Sequence, residues 1–213
     1  MKPLPRVSIA LALLATTSCG LATSRPAERS NSKVNMQQAA EKADAILQET
    51  LAGITPGLRW VHEASDDSGC PDWKNAATGA GSVARGVMIM TIVSPERRGS
   101  LLGVVERNWK ARGFKITSID SDATLPAVYA STPDNFRMEV AVGGEGQFKF
   151  GITTPCFADS PVQEPTTPSN VDTNTPAYEG GKPLPRPYIH DDFWSANTPG
   201  APTPQGTLPS ANR

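Results

Sequence analysis

The sequence predicts an α+β domain: a mainly antiparallel sheet of about five or six strands with two helices packed on one face, then a disordered proline-rich tail. Three observations predict it. Two stretches, opening at Asn35 and at Ser94, carry apolar residues at helical spacing. Short apolar or alternating runs lie between and after them, bounded by glycine-rich and polar turns. Beyond residue 157 the chain holds eleven of its 20 prolines, among Thr, Ser, Asn and Gly. Such a segment buries too little apolar surface to offset its ordering entropy.

The chain starts with a different kind of segment. Lys2 and Arg6 precede a run of about nine apolar residues, Val7 to Ala15, and small residues follow. That run is too short to span a bilayer, which needs about 20 residues. Residues 1–18 therefore read as an export signal peptide. Thr17-Ser18-Cys19 resembles a bacterial lipobox, with Thr16 where an aliphatic residue is usual. Lipid on Cys19 would then anchor the protein to the outer face of the cell membrane. The alternative is cleavage after Ala22, which releases a soluble secreted protein and discards the cysteine.

Cysteine arithmetic favours the lipobox. Of Cys19, Cys70 and Cys156, lipidation consumes the first and leaves a pair, and an exported pair is expected to oxidise. A Cys70–Cys156 bridge would close a loop of about 85 residues, for which loop-closure entropy gives roughly 4.5 kcal/mol. Two separate buried thiols are the alternative. An acyl chain contributes about 0.8 kcal/mol per buried methylene, so a diacylglyceryl group holds durably where one chain would not. Residues 19–34, lipidated cysteine plus a small polar stretch, read as a tether.

The folded domain is expected over 35–157. Asn35 and Gln38 have capping-box spacing. Met36, Ala39, Ala40, Ala43, Ile46, Leu47 and Leu51 form the apolar stripe, and Gly53 and Pro56 stop the helix. Leu58 to Ala64 reads as a first strand, and SDDSGCPDWKNAATGAGS after it as a long loop. Gly86 to Val93, GVMIMTIV, is nearly all apolar and predicts a central strand buried on both faces. Ser94-Pro95-Glu96 starts the second helix, by cap, first-turn proline and dipole-favoured acid. Leu101, Leu102, Val105 and Trp109 give its buried stripe, and Gly113 its left-handed end, with Phe114 packing back.

Four strands are then expected, at 114–120, 126–131, 135–143 and 147–154. The last two form a hairpin whose register follows from its pattern. Phe136, Met138, Val140 and Val142 must share a face with Phe148, Phe150 and Ile152. A three-residue loop, Gly144-Glu145-Gly146, achieves this, pairing Val142 with Phe148 and Val140 with Phe150, with Gly146 left-handed. In the tail, 158–213, RPYIHDDFW (186–194) concentrates aromatics. It reads as a sticky patch or a strip on the domain's own surface; a partner-binding motif across Tyr188 to Trp194 is the sharper alternative. KPLPRP (182–187) suits a polyproline II form.

The central region resembles a family of small secreted lipoproteins of actinobacteria. RWVHEASDDSGC (59–70), MTIVSPERRGSLLGVVERNWKARGFKIT (90–117), PAVYAST (126–132) and VAVGGEGQFKFGITTPC (140–156) carry the resemblance. It implies an exported lipoprotein with one small α+β domain and a cysteine pair, and it implies no reaction. Typical members end soon after the second cysteine, so the long tail is a departure.

No catalytic constellation stands out. Charge is balanced at -1 overall, which gives no support to a nucleic-acid partner. His62 is the single histidine of the domain; a hydrolase would have to use it with a serine or aspartate. Glu63 lies beside it, with Asp66, Asp67 and Asp72 nearby, where a cation site is conceivable; their spacing is not that of a calcium loop, and a solvated acidic loop is expected, with no metal and no cofactor. GAGSVARG and GGEG lack the setting of a phosphate cradle. Arg97 and Arg98 stand in the first turn of a helix, where the dipole disfavours cations. With the Ser94 end they form a candidate anion site for a head group or wall polymer, unless both pair with Glu96 or another carboxylate. The leading functional reading is a non-enzymatic envelope binding module, anchored in the membrane and meeting an envelope protein or anionic polymer. A ligand-binding accessory lipoprotein for a transporter or wall-assembly enzyme comes second, favoured by an apolar cleft between sheet and helices.

Overall fold

The computed structural model describes residues 34–171 and 186–197. The expected signal peptide (1–18), Cys19 and the expected tether up to residue 33 lie outside these residues, as do 172–185 and 198–213. The element order is α1 (Met36–Ala52), β1 (Trp60–His62), β2 (Asp66–Pro71), β3 (Ala77–Ile89), α2 (Pro95–Ala111), β4 (Lys115–Asp120), β5 (Ala127–Ser131), β6 (Arg137–Val142), β7 (Phe148–Thr153) and β8 (Phe157–Ala158). The sheet is antiparallel, ordered β1-β3-β7-β6-β5-β4, with β2 and β8 also paired to β3.

The first helix is capped as its sequence suggests, whereas the Ser94 side chain expected to cap the second makes no cap hydrogen bond and donates to the Ala196 carbonyl instead; Pro95 and Glu96 do stand in its first turn. Asn35 Oδ1 accepts the Gln38 N–H, and Gln38 Oε1 accepts the Asn35 N–H, a reciprocal capping box. Gly113, at φ +77°, ends α2, and the Phe114 N–H turns back to the Trp109 carbonyl at 2.9 Å. The two helices share one face of the sheet. Ala43, Leu47, Leu101, Val105 and Trp109 pack there on Val87, Val140 and Phe150 in a single core. The Trp109 indole N–H donates to Thr50 Oγ1 at 3.1 Å, which satisfies a buried donor between helices.

The β6–β7 hairpin has the register its pattern requires. Val142 pairs with Phe148 and Val140 with Phe150, and Gly146 sits at φ +80°. Residues 66–82 depart from expectation. They form a hairpin, β2 with the start of β3, rather than a loop. Its turn is built by Asp72, whose Oδ1 accepts the N–H groups of Lys74 and Ala76, and by Asn75 at φ +65°. The small and polar residues here have no apolar face to bury, so the hydrophobic pattern was silent although the backbone pairs.

β3 is the longest strand and organises the sheet. Gly81 pairs with Gly69 of β2 on one edge and Phe157 of β8 on the other. Cys70 lies on the first edge and Cys156 beside the second, and their disulfide ties the two flanks together at a Cα separation of 6.2 Å.

Gly86 to Val93 is indeed covered on both sides through its buried core. Val87 and Ile89 face the helices, whereas Met88 and Met90, fully buried, join Val61 on the opposite face. What covers that second face is chain that composition assigned to the tail: Val171 and Ile189 pack on Val61, Met88 and Met90. The domain boundary expected after residue 157 is therefore passed by two stretches laid on the domain. In the first, 158–171, Ser160 and Gln163 hydrogen-bond the start of α1 through Gln37. Ser169 and Asn170 accept the His62 and Trp60 N–H groups with their side chains. That satisfies an edge strand that no further strand pairs among the described residues.

The second stretch, 186–197, runs beside 90–94 with a parallel bridge from Ile189 to Thr91. It ends in a turn held by Asp191 Oδ1, which accepts the Phe193 and Trp194 N–H groups. Trp194 is 1% exposed and belongs to the main core, its indole N–H donating to the Pro56 carbonyl at 2.8 Å. Of the sequence alternatives for Tyr188 to Trp194, the strip on the domain's own surface is the one seen. Averaged composition missed it because a few anchors, Val162, Val171, Ile189 and Trp194, hold long polar intervals.

Trp194→Ala removes a fully packed indole from the core. It is expected to lower unfolding free energy by about 3–5 kcal/mol in urea titrations of the full chain. A tail that merely hung from the domain would leave the midpoint unmoved.

Candidate functional site

The helix-covered face is filled with core side chains, so a site must be sought elsewhere. Half of the opposite face is roofed by Val171 and Ile189. The other half forms a groove of about 420 Å³. Strand register sets its composition. One cross-strand row runs Gly86, Gly151, Glu139, Tyr129, and Glu63 joins its end through its N–H to the Gly86 carbonyl at 2.9 Å. The next row runs Asp66, Ala84, Thr153, Arg137. Lys149 borders the first row from the other side.

The two glycines let the acids lie flat. A Cβ on Gly86 would collide with Glu63 Oε2, and one on Gly151 would stand 2.9 Å from Glu139 Oε1. Lys149 Nζ lies 3.6 Å from each of these carboxylates and links them. Burial lifts the Glu63 carboxyl above its ordinary range, against the opposing charge and hydrogen bond of Lys149, and the Glu139 charge adds to the rise. The groove is thus a shallow dish, its floor of small residues on two central strands, its rim carrying three carboxylates, two cations and Tyr129.

His62 occupies a different place. Its ring stands edge-on to Trp60 at 4.9 Å, and Nε2 lies 2.7 Å from the Thr167 carbonyl. Among the described residues no hydroxyl is hydrogen-bonded to either ring nitrogen, so no nucleophile–base pair is assembled there. Its charged neighbour is Asp44, which also meets the buried Arg85, Nε to Oδ1 at 3.4 Å. Burial raises the Asp44 carboxyl while Arg85 and His62 pull it down. Asp66 and Asp67 lie on β2, and Asp72 is spent on its turn. Among the described residues no group of three or more His, Cys, Asp or Glu is placed to hold a metal ion.

Ser94, Arg97 and Arg98 come out differently from one another. The Ser94 N–H donates to the Trp194 carbonyl at 3.0 Å, and its Oγ to the Ala196 carbonyl at 2.6 Å. Arg97 is buried, with its guanidinium 4.3 Å from the centre of the Phe193 ring. Arg98 is half-buried, its guanidinium donating to the Thr124 carbonyl at 3.2 Å. The C-terminal turn thus sits where an anion at this helix end would have to approach.

The sequence reading missed Glu139, Lys149 and Tyr129, and it grouped Glu63 and Asp66 with His62 rather than with those three. Part of the signal was there: the hairpin register puts Glu139 opposite Gly151 on the outward face. Glu63 and Gly86 arrive through β1–β3–β7 pairing, which no local pattern states.

No family model matches this chain. No curated protein matches it. A crystal structure of a DUF4853 family protein from Actinomyces odontolyticus is similar at 9% identity, over 70% of this chain and 80% of that one, with a TM-score of 0.41. A likeness at this level carries no argument.

A raised carboxyl favours the folded protein when protonated, so Glu63 contributes stability at low pH that is lost as pH rises through its folded titration point. Glu63→Gln is expected to flatten that decline in urea unfolding followed across pH. Lys149→Met should push the Glu63 carboxyl titration, followed by carbon-13 NMR, further up; a downward move would contradict the geometry.

Proposed function

We propose that the protein is a membrane-anchored extracytoplasmic lipoprotein, held by lipid on Cys19, that serves the cell envelope as a non-enzymatic binding module. The observation that carries the export half is the Cys70–Cys156 disulfide, because such bridges persist where the surroundings are oxidising. With those two cysteines paired, Cys19 is left over, and the signal-peptide pattern places it where a lipid is attached. The binding half is supported by the dish on the open sheet face, a pre-formed concave surface with converging polar groups. Among the described residues no helix is long and apolar enough to cross a membrane, so attachment in this reading depends on the lipid.

A second reading, an accessory that takes an apolar ligand, has one observation in its favour. A cleft of about 650 Å³ lies between α1 and the 132–134 turn, with Ile46, Phe114 and Pro133 in its lining. Ion pairs Lys42–Asp134 and Glu49–Arg112 flank it.

Intact mass spectrometry of protein taken from the membrane fraction of the producing cell tests the proposal. A chain beginning at Cys19, heavier by at least a diacylglyceryl group and lighter by the two protons of the bridge, is the expected result. A cytosolic chain with Met1 in place and three free thiols would overturn it.

A further inference from the structure

We infer that the dish on the open sheet face binds a neutral saccharide, which rests on the reading of the protein as a binding module and names the ligand class for that site. The argument starts from what the rim presents. Glu63, Glu139 and Asp66 supply acceptors, and Lys149 and Arg137 supply donors, all around one floor. A sugar hydroxyl is both donor and acceptor. Vicinal hydroxyls therefore suit a rim in which carboxylates and cations alternate within a few ångströms, as Glu63, Lys149 and Glu139 do at 3.6 Å steps. Hydrogen bonds to charged groups are also the strong ones, which a neutral polar ligand needs in order to compete with water.

The same rim argues against charged ligands. A polyanion would meet three carboxylates, and a polycation would meet Arg137 and Lys149. Neither sign is in useful excess, and Lys149 is already shared between two acids.

Shape points the same way. The floor under the acids is Gly86, Gly151, Ala84 and Thr153 on two adjacent central strands. The glycines let Glu63 and Glu139 lie flat over them, so the surface a ligand meets is these two carboxylates with Ala84 and Thr153 beside them. Tyr129, partly exposed in the same row as Glu139, offers a ring against which a pyranose face can lie. The groove volume of about 420 Å³ is within the range of small-molecule sites.

The test uses the full chain as isolated from the producing cell, labelled with nitrogen-15, in nanodiscs if it carries lipid and in buffer if it does not. Four neutral tetrasaccharides are titrated singly: cellotetraose, maltotetraose, mannotetraose and N-acetylated chitotetraose. The dipeptide D-Ala-D-Ala and polyglycerol phosphate serve as zwitterionic and anionic probes. We expect at least one tetrasaccharide to give saturable shifts confined to the amides around Gly86, Glu139 and Gly151. Tyr129→Ala and Glu139→Gln should each weaken that binding about tenfold or more. Trp73→Ala, which changes the most exposed aromatic on the domain, at the β2–β3 turn, should leave it unchanged. No shift in the dish with any tetrasaccharide overturns the inference, as does binding that Trp73→Ala abolishes and Tyr129→Ala spares. Dish shifts with the dipeptide or the polymer alone overturn the saccharide class while leaving the dish as a binding face. Export and lipidation are judged separately, by the mass measurement.

Discussion

A strand that is apolar on both faces needs two covers, and the rest of this structure follows from how they are supplied. Val87 and Ile89 are met by α1 and α2, as in any two-layer α+β fold. Met88 and Met90 require a second cover that two helices on one face do not provide. The chain provides it from beyond the second cysteine, with Val171 and Ile189. Once laid there, the second stretch continues past the end of the strand and inserts Trp194 into the main core. A fully buried indole accounts for why so proline-rich a region is ordered at this point: one such side chain contributes several kcal/mol, enough to offset the ordering of a few residues.

That arrangement redistributes the chemistry that the sequence had suggested. The N-terminus of α2 receives carbonyls from Trp194 and Ala196, and the Arg97 guanidinium stacks on Phe193. Cations in a first helical turn are costly against the dipole. Here they are accommodated by an aromatic face and backbone oxygens within the same molecule. The residues that looked most like a binding site are structural contacts in large part, and the uncovered half of the sheet becomes the candidate surface.

On that surface the charges are close and partly desolvated. Glu63 lies against the backbone of Gly86, and Lys149 is shared between two acids. Holding carboxylates against a sheet costs solvation, which shows in the upward displacement of Glu63. A fold gains nothing in packing from this, and hydrophobic residues on the same positions would be cheaper. Sites tuned in this way are common where a protein meets a ligand.

Local pattern determined a good deal by itself. The capping box at Asn35, the left-handed Gly113, the hairpin register at Val142 and Phe148, and the burial of Val87 to Met90 on both faces were each legible, because each is set by residues within a few positions of one another, although the strand ends at Ile89 and Ile92 is exposed. The Cys70–Cys156 pairing was legible by counting. Only the tertiary structure decided that residues 66–82 pair as a hairpin, since small polar residues carry no periodic signal. Only it decided which segment covers Met88 and Met90, because the cover is two side chains, Val171 and Ile189, far from them in sequence. The candidate site belongs in part to the same class. Glu139 and Lys149 share the β6–β7 hairpin, whose register was legible, whereas Glu63, just past β1, reaches them only through the β1–β3–β7 pairings, which are long-range and leave no trace in the order of nearby residues.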